Sequence, residues 1–355
     1  MSARRLGGIE FLRFFFMIWI CLTHIRTFVP AFDLKGAGIA VEFFFIISGF
    51  FLYRTFRSRN YPVLGFARNR FSRLYPVYLF GVILSTIISY ADQAFEGTFI
   101  PMSVLCSEAI PEILMIQCTG SFSSGLANAP SWFVSVLFFG TLLIYAMLKY
   151  NEKLTTHILL PVFVIGFYAL ITGKGIPITD LYYVRPELPV CTIGPLFLPL
   201  GRGIAATSIG VLMGYAWRGS GHDWGWNSRI HDLLALLSFA LICLYFFIPW
   251  KNDALMLVPT TILASCVINP VSGFNKVFRH RIWGFLGGLS YGMLMLHIPV
   301  RFLINFGFRY FLYFRTGWLI LYILITMLAA WLIPRLLERT LKDPHRTVEK
   351  SGNPA

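Results

Sequence analysis

Residues 8–29 read GIEFLRFFFMIWICLTHIRTFV, an apolar stretch that is long enough to cross a bilayer and that contains Arg13 and His24. Ionisable side chains are rare at membrane depth, because an arginine near the bilayer centre costs about 2.5–3.5 kcal/mol on insertion scales. In a helix the two residues would lie about 16 Å apart along the axis and project from nearly the same face. The pair therefore indicates a polar site inside the membrane, with an imidazole that can exchange protons near neutral pH.

The composition indicates an integral membrane protein. Hydrophobic residues make up 57% of the 355 positions and charged residues only 13%, against about 25% charged residues in a soluble domain. The net charge of +14 does not indicate a nucleic-acid partner, because the basic residues fall in short segments between apolar stretches. The N-terminal MSARR and the apolar run after it resemble a signal peptide, but Arg13 and His24 interrupt the run. We predict a retained first helix.

Apolar stretches of about 17–25 residues predict an all-α polytopic protein with about ten transmembrane helices. The predicted spans are residues 8–29, 38–55, 74–91, 131–149, 157–173, 201–217, 231–249, 254–270, 283–307 and 316–337. The apolar stretch 102–117 carries Glu108, Pro111 and Glu112, so we expect it to be interfacial or re-entrant. We predict one membrane domain over residues 1–340 and a short cytoplasmic tail over residues 341–355.

The basic residues predict the orientation, because cytoplasmic loops carry an excess of Lys and Arg. They cluster before the first, third and ninth spans and after the last, as Arg4, Arg5, Arg54, Arg57, Arg59, Arg68, Arg70, Arg73, Lys276, Arg279, Arg281, Arg335, Arg339, Lys342, Arg346 and Lys350. The segment 92–131 contains neither Lys nor Arg. Ten spans with both termini in the cytoplasm satisfy this pattern, so we expect a multi-pass protein of the inner or plasma membrane, surrounded by membrane lipid.

The predicted orientation brings polar residues of five spans to similar depth near the outer face: His24, Glu42, Trp132, Arg202 and His297. Ionisable groups in membranes usually face a shared cavity, which favours a reaction chamber over packing roles. His24 is the candidate general base that takes the proton of an attacking alcohol. Glu42 would either hold the imidazole or pair with Arg202.

The roles of the other three outer residues stay open at this point. Arg202 would stabilise developing negative charge or pair with an acid. His297 would act as a second base, bind the acceptor or pack in the core. Trp132 would stack on a sugar ring or anchor the helix in the membrane interface.

A basic cluster, FARNRFSRLYP at residues 66–76, lies at the inner end of the third span. Arg70 and Arg73 are spaced i,i+3, so on a helix they would share one side and suit the phosphates of a nucleotide-like cofactor. An anchor that only sets topology is the other interpretation. Arg13 would stand between this cluster and His24, so a donor bound inside would extend a long arm to the outer chamber.

The six cysteines show no spacing typical of a metal site, and we expect no metal. Cys21, Cys243 and Cys266 lie in apolar spans, where packing is the simplest role. Three others fall in segments predicted to lie outside, where one disulfide is possible; they are Cys106, Cys118 and Cys191.

Taken together, the motifs resemble the integral-membrane acyltransferase-3 family, whose members O-acetylate surface polysaccharides and related acceptors. The matching segments are Arg13-x10-His24, VEFFFIISGF at residues 41–50, Arg70-x-x-Arg73-Leu74-Tyr75-Pro76, Ser131-Trp132-Phe133, Gly201-Arg202-Gly203 and Leu289-Ser290-Tyr291 followed by Leu296-His297. They are spread in order over most of the chain. Glu42 is a departure, since the family more often has Asp at this position.

The resemblance implies an acyl-CoA donor, usually acetyl-CoA, and an acceptor hydroxyl on an extracytoplasmic or lipid-linked glycan. It assigns Arg13 and His24 to the catalytic motif and Arg70 and Arg73 to handling of the donor. Some members carry a second, soluble transferase domain. Since about 18 residues follow the last predicted span, we expect this chain to finish the transfer itself or with a separate glycan-assembly partner.

Two other functions compete with acyl transfer. A transporter or flippase for a small anion or a lipid-linked sugar would also use membrane-buried Arg and His residues. It would move its substrate without consuming acetyl-CoA. A structural or receptor protein would leave the polar residues of five spans without a shared purpose. We therefore favour the O-acyltransferase.

Overall fold

The computed structural model describes residues 6–25, 34–95, 97, 101–118, 127–181, 192–193, 196–219, 228–248, 250, 252–270, 272–308 and 315–342. Within these residues the α-helices are α1 (Gly7–Thr23), α2 (Ala40–Ser58), α3 (Val63–Phe95), α4 (Met102–Ile113), α5 (Ser131–Tyr150), α6 (Glu152–Leu154), α7 (Leu160–Gly173), α8 (Leu198–Gly219), α9 (Ser228–Phe247), α10 (Leu257–Ile268), α11 (Gly273–Val277), α12 (Arg281–Phe308) and α13 (Arg315–Lys342).

Short elements connect these helices. A π-helical turn, Thr155–Leu159, joins α6 to α7, and 3-10 turns cover Lys35–Ile39, Ile178–Asp180 and Asp253–Met256. Two strands of two residues each, β1 (Thr192–Ile193) and β2 (Leu196–Phe197), pair antiparallel.

The helices confirm an all-helical membrane architecture. Seven helical segments in the described part of the chain are long and apolar enough to cross a membrane: Gly36–Ser58, Val63–Phe95, Ser131–Tyr150, Glu152–Gly173, Arg229–Phe247, Arg281–Asn305 and Gly317–Thr340. The other three predicted spans fall on α1, α8 and α10. Of these, α1 has 17 residues and α10 has 12, and α8 carries Arg202 and several glycines. The count of ten spans and the cytoplasmic termini stay predictions.

Two glycines let α2 and α8 pack with their backbones in contact. A Cβ on Gly49 would lie 2.0 Å from the Thr207 carbonyl oxygen, and a Cβ on Gly210 would lie 1.9 Å from that of Ile46. Small residues at such positions are how membrane helices approach each other closely. From Glu42 beside Arg202 to Tyr53 beside Gly214, the contacts between the two helices advance in the same direction along both, so α2 and α8 run parallel, as the predicted topology requires of the second and sixth spans.

Helix α12 lies parallel to α1 and α3 and joins the two. At its start, Gly287 touches Glu10 of α1, and further along His297 touches His24. On the side of α3, the Tyr291 hydroxyl donates a 2.7 Å hydrogen bond to the Leu74 carbonyl. This arrangement brings the first, third and ninth predicted spans together.

The segment predicted to be interfacial or re-entrant forms α4 and folds back onto α3. The buried Glu112 carboxylate accepts the backbone N–H groups of Ala127 and Asn128 at 2.9 and 3.1 Å. The Tyr78 hydroxyl donates to the Glu112 carbonyl at 2.5 Å. A 12-residue helix is too short by itself to span a bilayer, and the interfacial or re-entrant placement of α4 stays a prediction.

The cysteine predictions have different outcomes. Cys21 and Cys266 are buried, as packing residues of α1 and α10. Cys118 is buried and free of a disulfide in the structure. The side chain of Cys106 and the whole of Cys191 lie outside the described residues.

We expect Gly210→Ala to destabilise the protein, because the new methyl group would push α8 away from the α2 backbone. Overpacking of this kind costs about 1–3 kcal/mol or more. The matched control is Gly166→Ala in α7, where an added Cβ meets nothing within 4 Å and alanine is the better helix former. Thermal midpoints of the two purified variants in detergent, read by size exclusion, test this. Equal midpoints would contradict the close packing of α2 on α8.

Candidate functional site

A large cavity of about 2050 Å³ connects the two groups of predicted site residues. Six of the eight predicted residues line it, namely Arg13, His24, Arg70, Arg73, Trp132 and Arg202. The other two, Glu42 and His297, are fully buried directly behind residues of the cavity wall. Arg13 and His24, which their spacing predicts to share one helix face, thus line the same cavity. This cavity also extends to Arg70 and Arg73.

His24 and His297 form a contacting pair. His24 follows the last residue of α1, and its ring centroid lies 4.9 Å from that of His297 on α12. The Nδ1 atom of His24 is 3.4 Å from the Nε2 atom of His297. The sequence places both residues at similar depth, but their contact depends on how α1 is rotated against α12.

The hydrogen bonds of the pair determine which nitrogen of His24 is available for chemistry. Nδ1 of His24 lies 2.8 Å from the Ile20 carbonyl, and Nδ1 of His297 lies 2.9 Å from the Met293 carbonyl. Because a carbonyl oxygen only accepts, both Nδ1 atoms carry hydrogen. In the neutral ring of His24 the lone pair is then on Nε2, which has no hydrogen-bond partner in the described part of the chain. His24 thus has the tautomer of a general base that acts through Nε2.

Arg301 is a residue of this site that the sequence analysis missed. Its Nη1 atom donates to the His24 carbonyl at 2.9 Å, at the point where α1 ends. A cation at a helix C-terminus is favourable because it meets the partial negative charge of the carbonyls. Arg301 follows His297 by one helical turn, so α12 holds both the side chain and the main chain of His24. An arginine inside the predicted span 283–307 was the signal available in the sequence.

Glu42 pairs with Arg202. Of the two interpretations that the sequence left open for Glu42, the structure thus favours the ion pair over a contact with the imidazole. The Nε atom of Arg202 donates to Glu42 Oε1 at 2.5 Å, and the two side chains are 1% and 0% exposed. The remaining guanidinium nitrogens of Arg202 donate to the carbonyls of Leu181 and Gly38 at 2.9 and 3.0 Å. All three guanidinium nitrogens of Arg202 therefore donate to atoms of the protein itself. This geometry favours a role in positioning the cavity wall over direct contact with a reacting group.

Arg202 also fixes Trp132 at the cavity wall. The guanidinium carbon lies 5.4 Å from the indole centroid, within the range of a cation–π contact. Asp253 supports the segment that carries Leu181, since its carboxylate accepts the backbone N–H groups of Ile178 and Thr179 at 2.6 and 2.8 Å. These contacts hold the Trp132 indole in place on the part of the cavity wall that the predicted topology places outside.

Arg13 is held by a carboxylate that the sequence analysis did not single out. Its Nη1 atom lies 3.0 Å from Glu10 Oε2, one turn earlier on α1, and both residues line the cavity. Glu10 packs against Gly287, where a Cβ would come within 2.3 Å of the same oxygen. The close approach of α12 to α1 thus fixes Glu10, and Glu10 orients Arg13 along the wall.

At the end of the cavity that is predicted to face the cytoplasm, α3 begins at Val63 and not near residue 74, so the whole basic cluster is helical. Arg70 and Arg73 lie three residues apart on this helix, and both line the cavity. The Nε atom of Arg70 is buried and has no hydrogen-bond partner in the described part of the chain. A buried N–H donor without an acceptor is unfavourable, and a phosphate bound at the half-buried Arg70 side chain would supply that acceptor.

We expect Glu42→Leu and Arg202→Leu each to destabilise the protein strongly, because each leaves one buried charge without its partner. The expected loss is about 3–5 kcal/mol for either single change. The double variant removes both charges and should recover much of that loss. Thermal midpoints of the three variants in detergent measure this coupling. A double variant that loses the sum of the two single effects would show that the two residues stabilise the fold independently.

Comparisons with known proteins identify relatives over most of the chain. Residues 6–335 match the acyltransferase-3 family, described as "Acyltransferase domain". Acyltransferase MdmB from Streptomyces mycarofaciens is 25% identical over 307 residues, which cover 81% of this chain and 71% of that protein. No solved structure matches the chain significantly. The family match confirms the resemblance drawn from the motifs, and because it spans nearly the whole sequence, the chain belongs to the acyltransferase-3 family.

Proposed function

We propose that this acyltransferase moves an acyl group, most simply acetyl, from cytoplasmic acyl-CoA to a hydroxyl of an extracytoplasmic or lipid-linked glycan. The observation that carries the proposal is the single cavity lined both by Arg70 and Arg73 and by His24. A donor and an acceptor that enter from opposite sides of a membrane need one connected space in which to meet. A cavity of about 2050 Å³ has room for both reactants.

Arg70 and Arg73 would bind the phosphates of the donor. Guanidinium groups suit phosphate oxygens because their N–H donors form paired, charge-assisted hydrogen bonds. The buried, unpartnered Nε of Arg70 supports this role. From there the long thiol arm of acyl-CoA would run past Arg13, which Glu10 holds at the cavity wall.

His24 would act as the general base. Its Nε2 atom would take the proton of the acceptor hydroxyl while the oxygen attacks the thioester carbonyl. When the tetrahedral intermediate collapses, the carbon–sulfur bond breaks and the coenzyme A thiolate leaves. The proton on His24 then passes to the thiolate, so the imidazole returns to its starting form. His297 would support the base by accepting from its Nδ1–H group, as the orienting member of a triad does.

The outer wall would bind the acceptor. Trp132 lines the cavity close to Arg202, and Tyr245 and Trp250 line it as well. Aromatic rings offer flat apolar faces that suit the C–H face of a sugar. The site residues and the identity of donor and acceptor are tested together by incubating the purified protein with labelled acetyl-CoA and a panel of surface polysaccharides and lipid-linked oligosaccharides.

His24→Ala should abolish acyl transfer while the protein still accumulates and stays monodisperse in detergent. The expected loss is at least about 100-fold, the lower range for removal of a general base. His157→Ala is the matched control, since His157 is exposed and does not line the cavity. Release of free coenzyme A and label on the acceptor measure the rate. Substrate movement across proteoliposomes without loss of acetyl-CoA would favour a transporter instead.

Arg73→Ala should raise the KM for acetyl-CoA about tenfold or more and leave the KM for the acceptor nearly unchanged. The reason is that Arg73 lines the inner part of the cavity and not the part near Trp132. Arg68→Ala provides the control, because Arg68 is exposed on the same helix and does not line the cavity. Steady-state kinetics with each substrate varied in turn give both constants. A normal dependence on acetyl-CoA in the Arg73 variant would remove this residue from the donor site.

A further inference from the structure

The inner part of the cavity contains more arginines than the pair on α3. Five arginines line it from three directions: Arg54 and Arg59 at the end of α2, Arg70 and Arg73 on α3, and Arg335 on α13. We refer to these five residues as the arginine mouth. The sequence analysis used Arg54, Arg59 and Arg335 only to predict the orientation of the chain in the membrane.

The positive charge of the arginine mouth is not balanced by neighbouring carboxylates of the described residues. Among the residues that the structure describes, no carboxylate lies within ion-pair distance of any of the five, although Glu338 lines the same cavity. Two nearby arginines that do not line the cavity, Arg57 and Arg218, lie 2.9 and 3.7 Å from Glu152. Exposed arginines such as Arg68 and Arg339 also lack an acidic partner within the described ranges, but the five of the arginine mouth gather around one cavity, as expected of a site that receives a polyanion.

Helix α13 adds an aromatic surface to the arginine mouth. The guanidinium carbon of Arg335 lies 4.7 Å from the ring centroid of Trp331, one turn earlier. Trp331 also lines the cavity, and 40% of its surface is exposed. An indole with a neighbouring guanidinium is suited to a nucleotide, because bases stack on aromatic faces and arginine binds phosphate.

The chemistry of the donor requires two separate anion sites. Acyl-CoA carries a diphosphate on the side of the thiol arm and a distinct phosphate on the 3′ oxygen of its adenosine. Two arginines on one helix turn match a diphosphate, but they cannot also surround a phosphate on the far side of the ribose. The remaining part of the arginine mouth has the charge that this second phosphate needs.

We propose that Trp331 and Arg335 form a subsite for the 3′-phosphoadenosine end of the donor, with the adenine on Trp331 and the 3′-phosphate on Arg335. The proposal rests on acyl-CoA being the donor in the proposed function. It makes the 3′-phosphate a selected feature, so acyl groups on carriers without this phosphate are poor donors. The alternative role of the two residues is an anchor in the membrane interface, which requires no nucleotide.

Nucleotide binding tests the subsite without any need for turnover. The purified full chain in detergent is titrated with adenosine 3′,5′-bisphosphate and with adenosine 5′-monophosphate, which differ only in the 3′-phosphate. We expect the bisphosphate to bind at least about tenfold more tightly, and Arg335→Gln to abolish this preference. Arg339→Gln is the matched control, because Arg339 is exposed one turn further along α13 and does not line the cavity. Trp331→Leu should weaken both nucleotides by a similar factor.

The subsite would be overturned if the unmodified protein bound the two nucleotides equally, or if Arg335→Gln kept the full preference for the bisphosphate. The role as an anchor in the membrane interface would then be the remaining interpretation. A second measurement separates this outcome from failure of the proposed function. Acetyl-CoA and acetyl-dephospho-CoA are compared as donors in the transfer assay, and only the KM for acetyl-CoA should rise in Arg335→Gln. Arg335-dependent nucleotide preference without transfer from either donor would keep the subsite and count against the proposed donor and acceptor.

Discussion

The ion pair of Glu42 with Arg202 depends on helices that approach to backbone contact. Removing both charges from water costs several kcal/mol per ion, which is recovered only when the geometry is good and every donor finds an acceptor. Gly49 and Gly210 bring α2 and α8 close enough for this, and the carbonyls of Gly38 and Leu181 complete the shell of Arg202. The same pair then fixes Trp132. The outer wall of the cavity is thus a product of close helix packing.

The sequence was informative about the depth of the polar residues and uninformative about which faces of different helices meet. Ionisable residues inside apolar stretches identify groups such as His24, Glu42 and His297 that need a polar environment, and hydropathy with loop charge places them along each helix. Which groups touch depends on how each helix turns about its axis, and that follows from packing contacts between residues far apart in the chain. For this reason the pairing of His24 with His297 and the part played by Arg301 became visible only in three dimensions.

Helix boundaries at the inner face show a second limit. The apolar pattern predicts that the third span begins at residue 74, whereas α3 begins at Val63. Hydropathy detects only the part of a helix that lies in lipid, while arginine is a good helix former and carries the helix on into water. The motif residues Arg70 and Arg73 are therefore displayed on a rigid rod and not on a loop. This rigidity is what makes a fixed phosphate geometry possible, and the sequence indicated it only through their i,i+3 spacing.

The contact between the imidazoles of His24 and His297 also limits how many additional protons the pair can carry. Each Nδ1–H is committed to a carbonyl one turn earlier on its own helix, and the Nδ1 atom of His24 lies 3.4 Å from the Nε2 atom of His297. One additional proton can be shared by such a pair, but a second would place two cations side by side. The pair can therefore take up one additional proton. A hydroxyl group that is converted to an ester also loses one proton. Under the proposed function, the pair would accept one substrate proton in each turnover and return it before the next begins.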